Sequence, residues 1–376
     1  MAVLLTELKN KYTQLRGFHT NRHIVVIESD DWGSIRMPSK ETFRKLQEVG
    51  DCPSKDPFLS NDCLESELDL RNLYAVLEGV RDMRGKPAVI TANFAVANPD
   101  FERINKISSF YAYESIIDTY KRYYPEEDVL RVIQDGISSG VFFPQLHCRE
   151  HMNVNRWMQA LTSGNEDVLI AYQNKMIGIN ASFTPDNIFG YMDAFNTVCS
   201  TDDELAEIIT DAARMFEEIF KFKSETFVAS CFVWNFALEK QLDRLGIRGI
   251  QSGVWQNESC GSMGVYRLRR KLHFTGERNS LGQIYSVRNC NFEPAYGNDA
   301  RRCAEICLSE IEKSFKAKKP AIISSHRLNF ISKINPKNAE RNLEALGCLL
   351  ESLLKKFPET EFMTTPELFR IMEKQE

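Results

Sequence analysis

"IVVIESDDWGSIRMP" occupies residues 24–38, and its two halves disagree about where they belong. Ile24 to Ile27 form an apolar, β-branched run, and Gly33 and Pro38 close the stretch. That pattern reads as a buried strand ending in a turn. Two adjacent acids, Asp30 and Asp31, stand at its end. Like charges side by side repel, and a buried carboxylate is costly unless a partner offsets it. Successive strand residues point to opposite faces, so the two acids are expected to do different work.

Similar apolar runs recur along the chain: 23–29, 87–94, 141–147, 177–183, 226–234, 246–253, 283–292, 320–326 and 361–365. Amphipathic patterns separate many of them, clearest over 202–221, 235–246 and 339–357. Strands alternating with helices predict a mostly parallel sheet with helices on its faces. No G-x-G-x-x-G follows any strand, so a dinucleotide fold has no support. The expected fold class is α/β, a distorted (β/α) barrel of about seven to eight mostly parallel strands. A helical insertion is expected around 101–140. No Gly/Ser/Pro linker divides the chain, so residues 1–376 read as a single domain with a core of about 22–372. In such barrels the reactive groups sit at the carboxyl ends of strands. Asp30, Asp31, His147 and His326 all fall at such ends.

The 376 residues are 43% hydrophobic and 26% charged, with a net charge of −5. The basic clusters, 267–271 and 316–320, are short, which argues against a nucleic-acid partner. No apolar run approaches the ~18 residues of a membrane span. Near the N-terminus only Ala2 to Leu5 are contiguous apolar residues, too few for a secretory signal, so a cytoplasmic location is expected. Ten cysteines without a C-x-x-C pair read as reduced thiols, mostly buried. Cys303 and Cys307 lie four apart on an expected helix, with too few companions for a metal site.

Six histidines occur, and two form "HCREH" (147–151). Residues four apart share a helix face, so both imidazoles are placed to grip one ion. A carboxylate from the acid pair would complete a three-ligand set of the kind that suits zinc, iron, cobalt or manganese. A divalent cation would also relieve the repulsion between Asp30 and Asp31.

With these motifs in order, the chain resembles a divergent member of the polysaccharide deacetylase family. "ESDDWG" is similar to that family's T-F-D-D-G, with Trp32 inserted before the glycine. "HCREH" resembles its H-[S/T]-x-x-H, with Cys148 in place of Ser or Thr. "TANF" (91–94) looks like its "TFFV" strand, and "IISSHRLNF" (322–330) resembles its L-x-H motif. "EFMTTPELFRIM" (361–372) is similar to its closing strand and helix. The resemblance implies a metal-dependent hydrolase that removes N- or O-acetyl groups from a sugar or glycan. It implies a metal held by Asp31, His147 and His151, with zinc expected first and cobalt, iron, manganese or nickel as alternatives. Asp30 would be the general base and His326 the general acid.

Two supporting motifs are missing. The family's base-orienting arginine has no counterpart in "ETFVASCFVWN" (225–235), which leaves Arg149, Arg327 or Arg288 to reach the same spot. Its D-x-x-D-W motif is not evident in "QSGVWQNES" (251–259). Trp32, Arg149, Trp234, Arg327 and Asn329 are expected as sugar contacts, with Trp157 and Tyr191 further aromatic candidates. Two alternatives remain open. "HCREH" also fits the H-x-x-E-H pattern of inverted zinc peptidases, with Glu150 as base. A degraded deacetylase scaffold that binds glycan without cleaving it is the other. A glycoside hydrolase fits less well, since its paired carboxylates stand ~5–10 Å apart rather than adjoining in sequence.

Overall fold

In this computed structural model, residues 16–50, 56–178, 191–260, 267–297 and 299–374 are described. The first strand, β1 (His23–Trp32), is buried along nearly its whole length. Burial on both faces is why Ile24 to Ile27 are continuously apolar instead of alternating. The other strands of the main sheet are β2 (Ile90–Ala95), β3 (Phe142–Cys148), β4 (Thr226–Val228), β5 (Gly249–Ser252), β6 (Ile284–Val287), β7 (Cys290–Asn291), β8 (Ala321–His326) and β9 (Thr360–Met363). Their order is β6-β5-β4-β3-β2-β1-β8-β7, with β9 pairing beside the start of β1. Every pairing in this sheet is parallel.

The curled sheet is the expected distorted α/β barrel, and the way its ends meet is informative. β6 pairs with β5 at one end, while β7 pairs with β8 at the other. These two short strands belong to one run of chain. The Arg288 amide still bonds the Ser252 carbonyl at 3.0 Å, whereas the next amide, Asn289, bonds the Ile322 carbonyl at 3.0 Å. The run therefore changes neighbours at Arg288–Asn289 and joins the two ends of the sheet.

Helices cover the outside for reasons written in their sequences. Thr201 and Glu204 form a reciprocal cap on α1 (Asp202–Phe220), whose first turn is acidic, as the helix dipole favours. Leu205, Ile209, Ala212, Phe216 and Ile219 give it one buried stripe. α2 (Phe236–Arg244), α3 (Ala300–Lys316) and α4 (Pro336–Lys356) match or overlap the expected helical patterns. The last helix, α5 (Thr365–Glu373), starts on a Thr364–Glu367 capping box.

One expectation changes in detail, and two others can be placed. The segment around 101–140 is helical between strands as expected: it lies in the crossover from β2 to β3 and carries helices at Ile116–Tyr123 and Val129–Ser139. The strand expected over 226–234 stops at Val228. Cys231 and Phe232 take consecutive left-handed backbone angles (φ 55° and 52°) in a tight turn that ends the extended run. Most of the run at 177–183 lies outside the described residues. No helix among the described residues is long and apolar enough to cross a membrane. All nine described cysteines are free.

Candidate active site

The acid pair stands where β1 breaks its own register. Ser29 pairs with Ala92, yet Trp32 pairs with Phe94, so β1 carries one residue more than β2 between these points. Asp31 takes φ 75° at this bulge. Aspartate tolerates that region better than most side chains. Gly33 follows at φ 78°, with its α-carbon so close to the chain that an added Cβ would sit 2.3 Å from the Ala95 carbonyl oxygen. Glycine is required there. In a regular strand the two acids would face opposite ways. The bulge instead brings both into one cavity of about 310 Å³.

Asp31 meets both histidines of "HCREH". Its Oδ1 lies 3.0 Å from His151 Nε2 and 3.6 Å from His147 Nε2. His147 Nδ1 donates to the Val228 carbonyl at 2.8 Å, which turns Nε2 toward Asp31 and the cavity as the atom available to a metal. That Nε2 and His151 Nδ1 are buried without hydrogen-bond partners. A buried polar atom with no partner is costly, and a cation would satisfy the lone pair. The ligand atoms of Asp31, His147 and His151 all lie within 4.8 Å of one another, a group able to hold a metal ion. Burial lowers the pKa of His151, favouring the neutral imidazole that a metal needs. Burial would raise the pKa of Asp31, but the two imidazoles hold it well below the usual carboxylate range. This donor set fits a divalent ion.

The two histidines do not share a helix. His147 is in β3, and His151 lies in the bend after it. Glu150 bonds the Tyr111 hydroxyl at 3.0 Å and Arg149 Nε at 2.9 Å, and it does not line the cavity. The inverted-peptidase pattern needs a helix through both histidines and a free glutamate, so it is not realised here.

Asp30 has separate partners. Arg288 donates to both of its oxygens, at 2.6 and 2.7 Å, and Asn93 Nδ2 donates at 2.7 Å. Asn93 is held in turn by reciprocal amide bonds to Gln251, at 2.8 and 3.0 Å. Burial opposes ionisation of Asp30, yet the guanidinium wins and holds its pKa at about 2. Glu28 also accepts from Arg288, at 2.7 Å, but burial keeps its pKa raised.

His326 is the register partner of Asp30 on the neighbouring strand β8. Its Nδ1 bonds Glu293 Oε1 at 2.5 Å, and Glu293 Oε2 accepts from Asn329 at 2.8 Å. Burial alone would lower the pKa of His326. Glu293, with Asp31 and Asp30 behind it, raises it to about 10.

Asp30, Asp31, His147, His151 and His326 thus share one cavity. The expected sugar contacts do not line it. Trp32 and Trp234 are buried and donate to Ser29 and Glu239. Trp157 donates to the Ile177 carbonyl, and Tyr191 is buried against Arg156. Arg149 pairs with Glu150 and Asp211, and Arg327 is wholly buried between Asp62 and Glu65. Asn329 is buried too, and it steadies Glu293 instead of facing a ligand. Large aromatic and cationic side chains near a strand end carry no signal that separates cavity wall from core. Of the three arginines left open, Arg288 reaches the acid. Glu293 and Arg36 were missed, and they carry no such signal in sequence, since Glu293 follows the short strand Cys290–Asn291 and Arg36 lies in the turn after β1.

No protein-family model and no curated protein matches the chain. Among solved structures, neighbours include a Mycobacterium smegmatis protein assigned as a polysaccharide deacetylase (10% identical, covering 96% of this chain and 93% of that one, TM-score 0.46). A CE4 family pseudoenzyme of Bacillus anthracis is 12% identical over 93% of this chain and 66% of that one, with a TM-score of 0.39. A GH57-type branching enzyme of Pyrococcus horikoshii is 9% identical over 93% and 70%, with a TM-score of 0.46. Polysaccharide deacetylases are therefore among the structural neighbours, at low identity. Likenesses this distant, with TM-scores below 0.5, carry no argument about activity, so function must be read from the side chains.

Proposed function

We propose that this protein is a metal-dependent hydrolase that removes acetyl groups from a sugar or glycan. What supports the reading is one adjacency: a buried Asp31–His147–His151 cluster beside an aspartate neutralised separately by Arg288 and a histidine charged by Glu293. Asp31, His147 and His151 would hold the ion, with zinc favoured by the mixed nitrogen and oxygen donors. Such an ion polarises an acetyl carbonyl and lowers the pKa of water, as Lewis acids do.

The chain's own residues supply the rest. Asp30 takes the proton of the attacking water as a general base. Its low pKa makes it a weak base by itself, so it serves as a positioned acceptor beside a Lewis acid. Arg288 and Asn93 fix the carboxylate, filling both acceptor positions of Oδ1 and one of Oδ2, which leaves Oδ2 able to accept the proton. His326 donates a proton to the departing amine or alkoxide. Glu293 holds the Nδ1 proton, which leaves Nε2 as the donor toward substrate. Glu293, the largest raising influence, holds the pKa of His326 at about 10, so the ring carries the proton that it donates.

The test is elemental analysis of the pure protein, followed by an acetate-release screen over acetylated amino sugars and acetylated xylan. One equivalent of metal with acetate release that Asp31→Asn abolishes is the expected result. A protein that takes up no zinc or cobalt, or frees no acetate when loaded, is not this hydrolase.

A further inference from the structure

Arg36 lies in the wall of the same cavity and is 9% exposed. Its surroundings do not satisfy it. The Nε atom is buried without a hydrogen-bond partner. Among the described residues Nη1 reaches the Met192 sulfur alone, at 3.2 Å, a weak acceptor. The facing acid is Asp62, whose Oδ2 stands 4.0 Å from Nε, beyond hydrogen-bond reach. Asp62 Oδ1 is engaged by Arg327, at 3.0 Å from Nε and 2.9 Å from Nη2. The Phe58 ring, 4.7 Å from the guanidinium carbon, fixes the plane of the group without accepting a hydrogen bond.

A guanidinium carries five donors in a rigid fork. One that is nine-tenths buried and bonds no oxygen among the described residues costs free energy unless a ligand completes it. Two other charges of the cavity are matched, Asp30 by Arg288 and His326 by Glu293 behind it, and Asp31 faces the two imidazoles. Arg36 is the cavity cation whose hydrogen bonds are unmet, with Asp62 at 4.0 Å behind it and Phe58, Met192 and Phe232 along the same wall.

We propose that Arg36 selects substrate by pairing with an anionic substituent, a carboxylate or phosphate on the sugar ring. The inference rests on the preceding reading only for the sugar. Planar carboxylates and phosphates match the guanidinium fork, which binds them through two parallel hydrogen bonds. The cavity, at the small end of the ~300–1,000 Å³ usual for ligand sites, suits one substituted ring.

The test is isothermal titration of the full chain with three probes that share a ring: N-acetylglucosamine, its 6-phosphate and its 6-carboxylate. Each is measured on zinc-loaded and on chelator-treated protein. The expected result is that at least one anionic probe binds about tenfold or more tightly than the neutral sugar, with or without zinc. The arm with the larger ratio tells phosphate from carboxylate. Arg36→Gln abolishes the ratio, and Arg36→Lys, which keeps charge without the fork, lowers it. Equal binding of neutral and anionic sugars, binding of neither, or a ratio that survives Arg36→Gln overturns the proposal and leaves Arg36 as a structural counter-ion to Asp62. Should Arg36→Gln fail to fold, an undiminished ratio in Arg36→Lys overturns it equally. Acetate release plays no part in this measurement. A chain that prefers the anionic sugars yet frees no acetate overturns the hydrolase reading alone.

Discussion

Arg288 grips both carboxylate oxygens of Asp30, at 2.6 and 2.7 Å, from 258 positions further along the chain. The contact exists because Arg288 sits where one strand run leaves β5 for β8 and joins the ends of the sheet. That position aims the guanidinium across the barrel at the end of β1. The same guanidinium also bonds Glu28, so one buried cation serves two buried acids.

Removing that cation strands the acids. Arg288→Leu is expected to cost about 3–5 kcal/mol of stability, the range found when one partner of a buried pair is deleted. Arg288→Lys keeps the charge but loses the two-pronged contact, and activity should fall roughly 10–100-fold, as for other supporting residues around a metal site. Urea unfolding and acetate-release kinetics measure the two effects. Wild-type stability in Arg288→Leu would show that the pairing is dispensable.

Metal should stabilise the fold through Asp31, His147 and His151. Zinc at a thousand times its dissociation constant adds about 4 kcal/mol to the unfolding free energy of a protein that binds it only when folded. Asp31→Asn preserves shape and removes charge, so its melting temperature should no longer respond to zinc or to chelator. Calorimetry of both proteins decides, and a response that persists in the variant means that the ion binds elsewhere.

The pH profile should report the Glu293–His326 pair. His326 must be protonated to act as an acid, and its raised pKa keeps it so through neutral pH. In Glu293→Gln the main raising influence is gone and burial, which lowers the pKa, dominates. The alkaline limb of kcat then moves to lower pH, so activity is lost first above neutrality and kept best on the acid side. A limb that stays in place removes His326 from the role of acid.

Arg327 separates core from binding wall. It is fully buried and pairs with Asp62 at 2.9 Å and Glu65 at 2.8 Å. Arg327→Met should destabilise by about 3–5 kcal/mol, since two buried acids lose their counter-charge. Its KM for an acetylated sugar should stay near wild type at a temperature where the variant is folded. A large KM change with normal stability would return Arg327 to the cavity.

Much of this architecture is written locally. The apolar runs at 23–29 and 320–326 announce buried parallel strands, and the acids and histidines at their ends mark the chemistry. The caps at Thr201 and Thr364 fix where helices begin, because a side chain three residues away satisfies the first free amides. The ligand group needed little more, since His147, His151 and Asp31 all stand at or just beyond strand ends that a barrel gathers on one side.

Chain order alone could not reveal the pairing of charges. The expectation that Asp30 and Asp31 face opposite ways failed because a one-residue bulge, invisible in composition, turns both toward the cavity. Arg288, Glu293 and Arg36 look like ordinary charged residues in sequence. Their roles depend on which strands lie side by side and on where one run changes partner. Residue types and their periodicity determined the barrel and the kind of chemistry at its mouth. Tertiary packing decided which acid meets which base, because Coulomb energy depends on distance and burial in space, and hundreds of intervening residues do not encode either.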